Sequence, residues 1–201
     1  MAYFPFFIDI EGRNILIVGG GNVALRKAEK LLPFGAEITV IAPEICTELE
    51  ALSVTLLRRR FTDNDLYGAF AVIAATNDRV LNSHIYELST QLVILVNTVD
   101  DPEHCGFYFP AIAHKSNVTI GISTDGTAPA FAGYIREKAE ELLDEKTLAA
   151  GEILARYRPL IKRKFPTEVQ RKNAADALLE RCVSEDELPS ESEITELLES
   201  L

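Results

Sequence analysis

The chain has 201 residues, 47% of them hydrophobic and 25% charged. That is enough for one ordinary domain plus a smaller one, and too apolar for wholesale disorder. A formal net charge of −11 opposes binding to nucleic acid or anionic membrane, so an acidic substrate would need a local basic pocket.

Residues 3–10 are apolar and β-prone and end at the Glu11-Gly12 turn signal, which predicts a strand. Residues 14–18 (NILIV) form a short unbroken apolar run, as expected of a strand buried on both faces of a parallel sheet. Gly19-Gly20-Gly21 ends it. Residues 22–32 then take helical spacing, with Val23, Ala24, Ala28, Leu31 and Leu32 near one face and Arg26, Lys27, Glu29 and Lys30 on the other. Pro33 and Gly35 stop the helix, and 37–41 (EITVI) is a second strand, completing a βαβ unit. A weak helix over 44–52, strands over 54–57 and 70–75, a helix over 78–90 and a strand over 92–99 continue the alternation of a doubly wound α/β sheet.

After Pro102 the pattern changes. Strands are expected over 106–109 and 117–123 without long helices between them, then an amphipathic helix over 128–143. From Thr147 onward only helices are expected, two or three of them, broken at Pro159, Pro166 and Pro189, with a Glu- and Ser-rich tail from Ser184 that frays. The fold class is α/β: a Rossmann-type doubly wound parallel sheet over 1–113, a small α/β dimerisation segment over 114–146 and a helical domain over 147–201.

Gly19-x-Gly21-x-x-Ala24 sits between a buried strand and a helix. Gly19 permits the tight turn, Gly21 leaves room for a pyrophosphate, and Ala24 lets helix and strand pack closely. The helix start, from Asn22 and Val23, offers free N–H groups and its dipole to the phosphates. The second strand leads into Pro43-Glu44, not into the usual acidic residue at its end. Glu44 is either a late ribose ligand or a solvated carboxylate, and with no arginine there NAD is favoured over NADP as cofactor. Thr76 and Asn77 end the next central strand and either meet the cofactor ribose or, with Asp78, cap the following helix. Asp100 lies just past the strand at 92–99, where a carboxylate could take a proton and the neighbouring Asp101 could raise its pKa; Asp-Asp-Pro is equally good turn chemistry. Thr124, Gly126 and Thr127 precede the 128–143 helix, with Thr127 as N-cap, and its first-turn N–H groups could receive a carboxylate arm. Arg58-Arg59-Arg60, His114-Lys115 and Arg136 are the basic residues considered for an acidic ligand. None of them, and no metal ligand, is assigned to a site.

Cys46, Cys105 and Cys182 are odd in number and include no CxxC pair, so neither a disulfide framework nor a structural zinc site is expected. The N-terminus lacks the pattern of a signal peptide, and no apolar run approaches the length of a membrane span. A cytoplasmic protein binding neither nucleic acid nor membrane is expected.

The stretches FPFFIDIEGRNILIVGGGNVALRKAEKLL, AATND, NTVDDPEHCGFYFPA and ISTDGTAPAFAGYIREKAE together resemble the precorrin-2 dehydrogenases, a module that also occurs in siroheme synthase, from about Phe4 to Leu143. The resemblance implies NAD-dependent oxidation of precorrin-2, a tetrapyrrole with eight carboxylates, to sirohydrochlorin in siroheme biosynthesis. It implies a homodimer, and Asp100 matches the aspartate implicated in the family's chemistry. Thr124 stands where the family often has serine, and the methyltransferase domain of some members is not expected in a chain of this length. Some members also insert ferrous iron, in which case His104 with Asp100 could hold the metal. The rival outside enzymes is an NAD-sensing regulatory domain, which explains the glycine loop but not the 123–129 loop or the helical appendage.

Overall fold

The structure is a computed structural model that describes residues 4–185 and 187–201. It divides into two compact units, one formed by residues 6–109 and the other by the described residues of 110–201 with Phe4 and Pro5. The break falls after Phe109, not at the expected 113/114 boundary, because Ala111–Lys115 pairs with the strand that follows it.

The first unit is a five-stranded parallel sheet in the order β3-β2-β1-β4-β5: β1 (Asn14–Val18), β2 (Glu37–Ile41), β3 (Thr55–Leu57), β4 (Ala71–Ala74) and β5 (Leu95–Thr98). Side chains of successive strand residues go to opposite faces. On β1, Ile15 and Ile17 therefore join a core with Ala24, Ala28 and Leu31 of helix α1 (Asn22–Leu31), while Leu16 and Val18 join a second core with Leu66 and Ile85. Ile85 belongs to helix α3 (Arg79–Gln91). Helices thus cover both faces, which is why β1 and β4 read as unbroken apolar runs. Between β1 and β4 the strand order reverses, so the carboxyl ends of these strands open a crevice.

The expected strand over 3–10 is absent: 4–10 has no strand pairing, and Tyr3 lies outside the described residues. The weak helix over 44–52 contracts to one turn, α2 (Thr47–Glu50). The strand expected from residue 92 starts at Leu95, because α3 ends in a Schellman turn: Val93 N–H donates to Thr90 O (3.2 Å) and Ile94 N–H to Ser89 O (2.9 Å). The turn puts Val93 at φ 59° with its side chain 90% exposed, a backbone state that β-branched residues resist. Val93→Gly should therefore stabilise the protein by about 0.5–1 kcal/mol, read as a small rise in melting temperature, the relief of strain exceeding the glycine's extra chain entropy.

Residues 106–109 do not form the expected strand. They fold back along β5 through Gly106 N–H to Val96 O (2.7 Å) and Asn97 Nδ2 to Phe107 O (3.0 Å). In the second unit β6 (Ala111–Lys115), which the pattern missed, pairs antiparallel with β7 (Val118–Ile122) through a two-residue turn with Ser116 at φ 51°. Helix α4 (Pro129–Leu142) packs on this hairpin through buried Ala132 and Ala139, leaving Phe131, Tyr134 and Leu142 exposed. Three helices follow: α5 (Glu145–Lys164), α6 (Glu168–Ser184) and α7 (Glu191–Ser200). Pro159 does not break α5. The interior proline costs roughly 3 kcal/mol, and burial of Ile161 and Phe165 against Leu178 and Leu198 in a shared core offsets it. The tail is a helix, not a fray, because Ser190 and Glu193 form a capping box. No helix among the described residues is long and apolar enough to cross a membrane.

Candidate functional site

The three loop glycines have three different reasons to be glycine. Gly19 has φ 126°, and a Cβ there would lie 2.3 Å from the Ala75 carbonyl oxygen. A Cβ on Gly20 would lie 2.1 Å from the Glu44 carbonyl oxygen, because Cys46 N–H donates to Gly20 O (2.8 Å) and fastens the turn after β2 onto the loop. A Cβ on Gly21 would meet nothing within 4 Å. Gly19 and Gly20 are thus required by the fold, whereas the space over Gly21 is open.

Gly21 is also the N-cap of α1, with no side-chain cap and no acidic residue in the first turn. The N–H groups of Asn22, Val23 and Ala24 therefore lack both helical and side-chain acceptors, and the dipole's positive end is unopposed. Ala24 is fully buried, as close helix–strand packing requires. Open space over a capless helix start at the sheet's switch point fits a pyrophosphate. Pro43 and Glu44 are exposed beside the loop. At the end of β4, Thr76 Oγ1 donates to Asn82 Oδ1 (2.7 Å) and accepts from Asp78 N–H (3.1 Å), while Asp78, not Thr76, caps α3 through Val80 and Leu81 N–H. Asn77 is exposed at the same strand end.

Beyond β5 the chain forms one wall of a cleft of about 410 Å³; the other wall is α1. Thr98, Asp100, Asp101, Cys105, Tyr108 and Phe109 face Val23, Arg26, Lys27 and Lys30 across it. Asp100 is exposed and sits at φ 58°. His104 Nδ1 pairs with Asp101 Oδ2 (2.6 Å) and its ring packs edge-on to Tyr86, so the histidine's partner is Asp101 and not Asp100. The hydrogen bond from His104 holds the Asp101 carboxyl below its ordinary range, so this charge is already engaged. Burial raises the Cys105 thiol, which donates to Thr98 O (3.2 Å) and is no activated nucleophile. Among the described residues, no group of three or more His, Cys, Asp or Glu side chains converges to hold a metal ion. The buried Thr98 hydroxyl has no hydrogen-bond partner among them, an unusual cost unless a ligand supplies one.

Lys27 stands apart from the other basic residues. Its Nζ lies 3.8 Å from the Phe109 ring centroid, and burial pushes its ammonium down to about 8, aided by Lys30 and Arg26 and opposed by Cys105 and Asp100. Four of the residues named for their basicity in the sequence are instead committed elsewhere. Arg58 pairs with Glu50, Arg59 grips Asp65 bidentately (2.7 and 2.5 Å), Arg136 pairs with Glu140 (2.6 Å), and Lys115 caps the end of α4 at Glu140 O and Leu143 O. The cleft-lining cations of α1 lie on the face opposite its apolar stripe, and the sequence alone assigns them no site role. The signal was three cations at positions 26, 27 and 30 of the glycine-loop helix in an acidic chain. In the second unit, Ala128 and not Thr127 is the N-cap of α4: Thr124 Oγ1 accepts from Ala128 N–H (3.3 Å), and Thr127 Oγ1 donates to Thr124 O (2.6 Å). Gly126 completes that turn at φ 75°.

The parallel sheet with its glycine loop and capless α1 defines a Rossmann-type protein built for a nicotinamide dinucleotide. In agreement, residues 6–111 match the family model NAD_binding_7, described as "Putative NAD(P)-binding", and the chain belongs to that family. It is 42% identical over 177 residues to a siroheme synthase of Photorhabdus laumondii, covering 86% of this chain and 38% of that one. It is 42% identical over 170 residues to a siroheme synthase of Zymomonas mobilis, covering 83% and 36%. The chain thus spans less than two fifths of the length of these curated relatives. A solved structure titled "SirC, precorrin-2 dehydrogenase" matches over 98% of both chains with a TM-score of 0.74 and 26% sequence identity. The chain is thus similar over almost its whole length to a solved precorrin-2 dehydrogenase, as the motifs from Phe4 to Leu143 had implied.

Proposed function

We propose that this protein oxidises precorrin-2 to sirohydrochlorin in siroheme biosynthesis, with NAD as hydride acceptor. The observation that carries the reading is the cleft beyond β5, which sets Asp100 and the cations of α1 beside the glycine loop in a fold matched end to end by a precorrin-2 dehydrogenase. When bound, the cofactor supplies a nicotinamide ring that accepts a hydride. The balance is one hydride and one proton leaving precorrin-2, to give sirohydrochlorin, NADH and a proton.

The chain's own residues do the rest. Gly19, Gly21, Asn22, Val23 and Ala24 form the pyrophosphate cradle. Pro43 and Glu44 border the adenosine ribose, with Glu44 as acceptor for its hydroxyls, which favours NAD over NADP. Thr76 and Asn77 border the second ribose at the end of β4. Asp100, exposed in the cleft, receives the proton. Thr124, Gly126 and Thr127 hold a substrate carboxylate at the start of α4. A homodimer is proposed through 114–146, where Phe131, Tyr134 and Leu142 are exposed on α4. Sedimentation should give a dimer, and Leu142→Glu should shift it to monomer.

The direct test is NADH appearance when purified protein and NAD receive precorrin-2. A nucleotide sensor would bind NAD and leave it unreduced. No NADH at any precorrin-2 concentration would exclude the dehydrogenase reading.

A further inference from the structure

Arg26, Lys27 and Lys30 reach the cleft from one side of α1, and among the described residues none of them has a carboxylate within ion-pairing distance. In a chain with 31 acidic residues against 20 Lys and Arg, three neighbouring cations on one helix face repel one another and make the cleft locally attractive to an anion. Lys27 is the deepest. It is half-buried over the Phe109 ring, in the cleft that Thr98 also lines. Burying an ammonium without an anion costs stability. An anion carrying oxygen acceptors, seated in the cleft, would relieve that cost.

We infer that Lys27, flanked by Arg26 and Lys30, is a carboxylate subsite that receives one acidic arm of the substrate. This rests on the proposed function for the identity of the substrate, but not for the chemistry of the subsite. Cofactor phosphate is the other anion within reach of α1, and the test separates the two.

Lys27→Gln keeps length and polarity and removes the charge; Lys27→Arg keeps the charge. The KM for precorrin-2 should rise about 10- to 100-fold in Lys27→Gln, the worth of a charge-assisted hydrogen bond, with kcat changed less than about threefold. Lys27→Arg should restore most of the loss, and the Kd for NAD should stay within about twofold in both variants. A pH signature follows from the depressed lysine. Arg26 and Lys30 crowd Lys27 on α1, and Asp100, Asp101 with its His104, Cys105 and Tyr108 face it from the other wall. Above about 8 the free ammonium loses its proton, and a bound carboxylate demands it back. The KM of the wild type should therefore climb up to tenfold per pH unit above that point, and the climb should vanish in Lys27→Arg.

A fluorescence titration with sirohydrochlorin reads the subsite without turnover. If wild type yields no NADH yet binds sirohydrochlorin about tenfold or more tighter than Lys27→Gln does, the dehydrogenase reading fails and the subsite stands. Unchanged KM and Kd for the tetrapyrrole in a folded Lys27→Gln would overturn the inference. So would weakened NAD binding with an unchanged tetrapyrrole KM, which would give Lys27 to the cofactor.

Discussion

Gly21→Asp should weaken NAD binding by about 100-fold or more while the melting temperature holds or rises. Space and conformation point the same way. A Cβ at this position touches nothing within 4 Å, and the backbone sits at φ −97°, where any residue is at ease. As N-cap of α1, aspartate is a better residue than glycine by a few tenths of a kcal/mol, and its charge favours the helix dipole. The variant should fold normally, with its carboxylate in the place proposed for the pyrophosphate. Gly20→Ala should behave in the opposite way. Its methyl group would have to push back the backbone at Glu44 and Ile45, at a cost of about 1–3 kcal/mol, with cofactor binding lost only as the loop distorts. Calorimetry and thermal melts on the pair separate the two roles. Unchanged NAD affinity in Gly21→Asp would falsify the placement of the cofactor.

The glycine loop shows how far one-dimensional pattern carries. β1 and β2 could be read at their bounds, because a strand buried on both faces leaves a continuous apolar run, and the loop residues punctuate it. The same logic misled at 3–10, where apolar residues report β-propensity but cannot report whether a partner strand exists. Pro159 misled for the converse reason: local propensity predicts a break, and tertiary burial of Ile161 and Phe165 overrides it. The need for glycine at Gly20 is invisible in the sequence because its neighbours at 44–46 come from another part of the chain. Lys27 was the largest omission. On a helical wheel it belongs to the polar face, and only the return of 98–109 past β5 turns that face into a cleft wall. Local periodicity identifies the elements, but a site made by non-local return of the chain leaves little trace in it.

Asp100→Asn should reduce sirohydrochlorin formation by about two to four orders of magnitude, the usual worth of a positioned general base, with NAD affinity nearly unchanged. Asparagine is the right probe for a structural reason. Asp100 sits at φ 58°, which Asn tolerates as well as Asp does, whereas Ala would add strain at the same place and confound the result. The neighbouring carboxylate provides the control. Asp101 is engaged by His104 at 2.6 Å, and that pairing holds its carboxylate in the 101–104 turn. Asp101→Asn should therefore act by loosening the 101–104 turn, with a loss of about tenfold or less and a fall in melting temperature that Asp100→Asn does not share. Tetrapyrrole oxidation also offers a competing route, since the proton could pass to solvent once the hydride has left, with the protein serving only to orient the ring. The two differ in kcat: proton acceptance by Asp100 makes kcat fall in Asp100→Asn, while pure orientation leaves it near normal. Near-normal kcat in Asp100→Asn would remove Asp100 from the proton transfer and leave orientation by the cleft as the source of rate.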